Sequence, residues 1–169
     1  MSLKPIVWLL AAPALALVLF LIILIGEQVF GGRGPHCSSC KTIISALESG
    51  CRTYKIDFGE YPPGRPDFDS RVLHHYLGSP RVVKTGDGIE RRRGPYIDFP
   101  ATWLKSSIGQ IPDPANPVQI LDPWDRPIRY ANPGNKNPGG VDIWSAGPNG
   151  KDELDDPNSD DIRSWVKEY

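Results

Sequence analysis

Apolar positions change their spacing three times along the chain. From Ile6 to Ile25 there is no spacing at all, because the run is uncharged throughout. At about 1.5 Å per residue, a run of this length crosses the roughly 30 Å hydrocarbon core of a bilayer. A cleaved signal peptide has a shorter apolar region, about 7–15 residues, that ends at a small-residue site. The flank Gly26-Glu-Gln-Val-Phe30 offers no such site. The expectation is therefore an uncleaved transmembrane anchor over 1–30. Pro13 is tolerated inside such a helix, and Trp8 suits an interface. Lys4 on one side against Arg33 and Lys41 on the other leaves the orientation undecided by charge alone. Gly31-Gly32-Arg33-Gly34-Pro35 interrupts the pattern and predicts a hinge over 31–36.

From Cys37 to about Phe58 the spacing becomes helical. Ile43, Ile44, Leu47, Cys51 and Tyr54 fall on one face, and Ser38, Ser39, Lys41, Glu48, Arg52 and Lys55 lie mostly elsewhere. The helix should stop near Asp57-Phe58-Gly59, with Pro62-Pro63 beyond. A second short helix is predicted over Asp69–Gly78, capped by Asp69 or Ser70. His74 and His75 point about 100° apart there and are expected at the surface or its boundary. Ser79 to Val118 shows no period and many prolines, so it is expected to be irregular, pinned by Pro95–Phe99 and Thr102–Leu104. The basic run Arg91–Arg93 is expected in a solvated loop.

Beyond Gln119 the spacing shortens to strands. Ile120-Leu121 leads into the turn Asp122-Pro-Trp-Asp-Arg-Pro127. Ile128–Ala131 and Val141–Trp144 read as two strands joined by the hairpin connection Asn132–Gly140. The resulting fold class is α+β. A 1–30 anchor and a 31–36 hinge precede a 37–169 domain, in which an amphipathic helix packs on a small antiparallel sheet.

A formal charge of -1 over 169 residues argues against a nucleic-acid partner, which would call for a basic patch. With 17 glycines and 18 prolines, mostly beyond the long helix, the second half must be turn-rich. No Ser/His/Asp ordering, phosphate loop or pair of acid/base carboxylates points to an enzyme, and no small-molecule substrate is expected. Cys37-x-x-Cys40, with Cys51 and His36 near it, leaves three readings open: packing cysteines, a disulfide involving Cys51 or another chain, or a thiol redox or metal protein. The thioredoxin setting is missing, since no strand precedes the pair.

After Trp144 the turn Gly147-Pro-Asn-Gly150 opens a segment dense in carboxylates: Asp152, Glu153, Asp155, Asp156, Asp160 and Asp161. Such charges repel unless solvent or a cation relieves them. Oxygen ligands on a loop suit Ca²⁺, which takes six to eight of them. Ile162 and Trp165, three residues apart, are expected to close the loop as one helical turn. A solvated acidic loop is the alternative.

The motifs taken in order resemble the G-type major pseudopilins of type II secretion. The matching residues are Tyr54–Asp57, Gly59–Pro62, Gly94-Pro-Tyr96, Leu121–Trp124, Pro127, Tyr130, Asn132–Gly134, Asp142-Ile143, Ser145, Gly147, Asn149-Gly150, Asp161-Ile162 and Trp165. The resemblance implies a pilin-like fold and a non-enzymatic subunit anchored in the inner (cytoplasmic) membrane, with its soluble domain on the periplasmic side. Its partners would be the lipid bilayer and like subunits or other secretion-system components. It also implies a C-terminal calcium loop, with side-chain ligands at Asn149, Asp160 and Asp161 and the Ala146 carbonyl near them. Asp152, Asp155 and Asp156 are close enough in sequence to complete the shell. Asn149 stands where the family usually has Asp. The family's processed leader and early helix Glu are not found before or within Ile6–Ile25, so an intact N-terminus is expected. A pilin-like binding module that never polymerises is the alternative consistent with that difference.

Overall fold

The computed structural model describes residues 35–84, 86, 88–105 and 113–166. The expected anchor over 1–30 and most of the expected hinge lie outside them. Among the described residues no helix is long and apolar enough to cross a membrane.

Helix α1, Pro35–Phe58, begins on a proline, whose missing N–H costs nothing at a first helical position. It buries Cys40, Ile43, Ile44, Leu47, Gly50, Cys51 and Tyr54. That is the stripe that the spacing predicts. Gly50 lets Ile97 and Leu77 pack directly on the helix backbone, since a Cβ there would stand 2.8 Å from Ile97 and 3.2 Å from Leu77. The helix ends with Gly59 at φ +82°, its N–H bonded to the Lys55 carbonyl at 2.8 Å. A left-handed glycine is the standard way to close a helix C-terminus.

The main sheet is antiparallel in the order β3-β4-β5, with β3 Arg129–Ala131, β4 Asp142–Ser145 and β5 Ile162–Arg163. Tyr130 pairs with Ile143, and Ser145 pairs with Ile162. β4 is buried along its whole length, since α1 packs on the sheet and Phe68 and Trp165 pack against Trp144. Ile162 is therefore a strand residue, not part of the helical turn expected for Ile162 and Trp165. Its apolar side chain is buried by pairing with β4, and Trp165 meets Trp144 with ring centroids 6.1 Å apart.

Helix α2, Arg71–Gly78, lies on α1 with Leu73 and Leu77 in the core. Asp69 Oδ1 accepts the Arg71 N–H at 2.9 Å, whereas the Ser70 hydroxyl bonds across to the Ile120 backbone and makes no cap. His74 corrects the sequence reading. It is 1% exposed, accepts the Val118 N–H at 3.1 Å, and meets the Phe99 ring edge-on. One hydrogen bond and one aromatic neighbour make it a core residue, and burial lowers its pKa.

The stretch after Ser79 is more ordered than its prolines suggest. β1, Arg81–Lys84, and β2, Glu90–Arg93, form an antiparallel hairpin, so Arg91–Arg93 sit in a strand and not in a loop. Side-chain chemistry explains the difference. The Arg81 guanidinium lies 3.9 Å over the Tyr76 ring, and Arg93 pairs with Asp57 at 3.5 Å. Arginine can thus cover apolar surface where a strand would ordinarily use a β-branched residue. A 3-10 turn, Ala101–Trp103, follows, and Leu104 bridges to Ile120. The two pins expected in this stretch are present: Tyr96, Ile97, Phe99 and Trp103 pack against the core, and Leu104 is buried within it.

Candidate metal centre

The acidic segment hangs between the ends of β4 and β5, and the turn after Ser145 fixes its geometry. Gly147 has φ +59°, and a Cβ on it would stand 2.3 Å from the Asp160 carbonyl oxygen and 2.9 Å from Asp160 Oδ1. Only glycine lets Asp160 lie this close to the turn. The Gly150 N–H closes the turn on the Ala146 carbonyl at 3.1 Å.

Three of the expected ligands are brought together here. The Asn149 N–H donates to Asp160 Oδ2 at 3.0 Å. Asn149 Nδ2 donates to Glu153 Oε2 at 2.9 Å, and the Glu153 N–H donates to Asp161 Oδ2, also at 2.9 Å. Ala146, whose carbonyl is the expected backbone ligand, is buried at the start of this turn. Glu153, which the sequence reading left out of the site, joins Asn149 to Asp161. No spacing rule could reveal it, because its role depends on the loop folding back.

The other three acids are held elsewhere. Asp152 accepts the Trp144 indole N–H at 3.0 Å and pairs with Arg129 at 2.8 Å. Asp155 pairs with Lys136, which holds its carboxyl below the usual range. Asp156 accepts the Asn158 N–H at 2.8 Å. Among the described residues no three His, Cys, Asp or Glu side chains converge as a metal-ligand set.

Two oxygens in the loop are left without partners. Asp160 Oδ1 and Asp161 Oδ1 are buried and, among the described residues, have no hydrogen-bond partner. The Asp161 side chain is 0% exposed, and the Arg163 guanidinium is 3.7 Å away. Burial pushes the Asp161 carboxyl up, outweighing the Glu153 N–H, the Ser159 hydroxyl and Arg163, which pull it down. Orphaned acceptors of this kind are costly unless something neutralises them. These two carboxylate oxygens are hard donors of the kind calcium takes, and the same turn carries the Asn149 amide oxygen, which accepts the Lys151 N–H at 2.6 Å, and the Ala146 carbonyl, so the residue types present fit calcium.

The thiols offer a poorer site. Cys37, Cys40 and Cys51 are free, and burial pushes the Cys40 thiol up to about 12 and Cys51 upward as well. A redox or metal-binding cysteine needs an accessible thiolate, and these two have the opposite surroundings. They are core side chains on the stripe of α1.

Residues 105–165, which carry both the sheet and this loop, match the family model of the type II secretion system protein G. The chain is also similar to a solved structure, the crystal structure of the major pseudopilin from the type 2 secretion system of enterohaemorrhagic Escherichia coli. The two are 26% identical over 84% of this chain and 93% of that one, with a TM-score of 0.43. No curated protein matches the chain. The resemblance to G-type pseudopilins read from the sequence is borne out over the matched segment. What is matched is a subunit of a secretion apparatus and not an enzyme.

Proposed function

We propose that this chain is a membrane-anchored, pseudopilin-like structural subunit of a type II secretion apparatus, and that calcium completes its C-terminal loop. Asp160 and Asp161 would hold the ion together with Asn149 and the Ala146 carbonyl. The ion would supply the positive charge that the two orphaned oxygens lack, and so fix the loop against β4 and β5. The observation that carries this reading is the pair of buried, unpartnered oxygens, Asp160 Oδ1 and Asp161 Oδ1, inside the matched segment. The anchor is supported by the uncharged run Ile6–Ile25. It would sit in the inner membrane with residues 37–169 on the periplasmic side, where like subunits or other secretion components would be the partners.

With one carboxylate of the family's set replaced by the neutral Asn149, affinity should be weak, on the order of 10⁻⁴–10⁻³ M as in extracellular modules. At a hundredfold excess over the dissociation constant, the ion stabilises the folded state by about 2.7 kcal/mol. The test is thermal unfolding of the full chain in detergent, in calcium at a hundredfold excess over that constant and in chelator. The expected outcome is a higher midpoint in calcium for the wild type and for Asp113→Ala, whose carboxylate caps a distant turn. Equal midpoints in the two buffers would leave the segment a solvated acidic loop. Recovery of a shortened chain in the soluble fraction would sink the intact anchor.

A further inference from the structure

We infer that Arg126 and Asp122 are positioning residues for the cation site, because the turn 122–127 braces the segment 146–150 that presents Ala146 and Asn149. The inference rests on the calcium reading above. Its starting point is a chain of buried polar contacts that the pairing of β3 and β4 does not need. Asp122 is 3% exposed, and Oδ1 accepts the N–H groups of Trp124 at 2.9 Å and Arg126 at 3.0 Å. Its Oδ2 accepts the Ser145 hydroxyl at 2.5 Å. That hydroxyl in turn accepts the Gly147 N–H at 3.1 Å.

Arg126 grips the same turn from the carbonyl side. Its Nη1 donates to the Gly147 carbonyl and, at 2.8 Å, to the Pro148 carbonyl. The guanidinium also packs against Gly150, where a Cβ would stand 2.7 Å from Nε and 2.9 Å from Cζ. The peptide planes at 147 and 148 are therefore set by Asp122, through Ser145, and by Arg126. Ala146 precedes those planes and Asn149 follows them, so neither can reorient without breaking this brace. Both bonds leave Nη1, while Nε and Cζ pack against Gly150, so the guanidinium fixes the turn by contact as well as by donation. Groups that orient metal ligands in this manner typically change metal affinity 10- to 100-fold when removed.

Coulomb's law alone gives the opposite sign. Arg126 is a cation in the same turn as a proposed cation site, and deleting a like charge should tighten binding. That opposition makes the inference testable. Calcium titration of the full chain in detergent, followed by calorimetry, is compared for the wild type, Arg126→Gln and Arg126→Lys, with unfolding in chelator recorded for each. The brace predicts a dissociation constant raised about tenfold or more in Arg126→Gln. A smaller rise is expected in Arg126→Lys, whose ammonium can still donate to these carbonyls but lacks the guanidinium group that packs against Gly150. The calcium-induced rise in unfolding midpoint should shrink in the same order, whatever each variant's midpoint in chelator. An unchanged or tighter dissociation constant in Arg126→Gln overturns the brace. If that variant does not fold in chelator, wild-type affinity in Arg126→Lys overturns it equally. A wild type that binds no calcium sinks the proposed function itself, so the two failures are distinguishable.

Discussion

Asp122 and Asp161 are two buried carboxylates that the chain treats differently. Asp122 sits in a tight turn whose own N–H groups and the Ser145 hydroxyl occupy both of its oxygens. Asp161 has one oxygen on the Glu153 N–H and the other on nothing. Protein groups alone complete the first environment, which then serves as a rigid part of the fold. The second stays electrostatically incomplete until a cation arrives. Burial alone therefore does not separate a structural carboxylate from a binding one, but counting the partners of each oxygen does.

The comparison breaks most easily at Asp122. Asp122→Ala leaves two N–H groups and a hydroxyl unpaired in a buried turn, at about 1–3 kcal/mol for each such group. The expected loss is about 3–5 kcal/mol in urea unfolding in chelator, so calcium is not needed to see it. A loss under about 1 kcal/mol would mean that the turn is not structural. Leu47→Ala supplies the apolar reference. Leu47 is 0% exposed, and its truncation should cost about 2–5 kcal/mol in either buffer. Lys55→Ala, on the exposed side of the same helix, should stay within about 0.5 kcal/mol, and equal effects would mean that α1 is mis-phased.

Asp161→Ala should behave unlike either core change. In calcium at a hundredfold excess it should remove most of the roughly 2.7 kcal/mol that the ion contributes. In chelator it should cost clearly less than Asp122→Ala, because it leaves one N–H, that of Glu153, without its acceptor and at the same time deletes a buried oxygen that has no partner. A large loss in chelator would place Asp161 with Asp122 as a structural carboxylate and erase the distinction.

Much of the fold was legible because burial leaves a periodic trace. The stripe from Ile43 to Tyr54 follows from side-chain period, and the strand expected at Val141–Trp144, observed at Asp142–Ser145, from its β-branched and aromatic residues. The β1–β2 hairpin was not legible. Arg81 and Arg93 are strand residues only because Tyr76 and Asp57 stand beneath them, and no local pattern encodes that. His74 was misjudged for a similar reason: its polar nitrogen meets the Val118 N–H, 44 positions away. Of the loop, the charge density marked the segment, and the family resemblance marked Asn149, Asp160 and Asp161. Neither could show that Arg129 and Lys136 hold Asp152 and Asp155, or that Arg126 reaches the carbonyls after Ala146. Those links run between segments, and a single sequence records only the segments.

The smallest expected effect is a pH dependence, and it carries a sign. Burial raises the Asp161 pKa above its unfolded value, so the folded protein holds that proton more tightly than the unfolded chain does. The associated stability is fully present below the unfolded pKa and is lost as pH rises through the folded one. Asp69 has the opposite sign. Burial would raise it, but Arg71 lowers it on balance, and its contribution disappears on acidification. Asp69 is common to the wild type and to Asp161→Asn, so subtracting one from the other isolates Asp161. In chelator, the stability of the wild type relative to Asp161→Asn should fall as pH rises from about 3.5. In calcium the trend should invert, because the ion binds only the carboxylate and gains ground as the proton leaves. Urea unfolding of both proteins across that range reads the two slopes directly. A difference that rises with pH in chelator would show that the loop already stabilises the Asp161 charge without a cation.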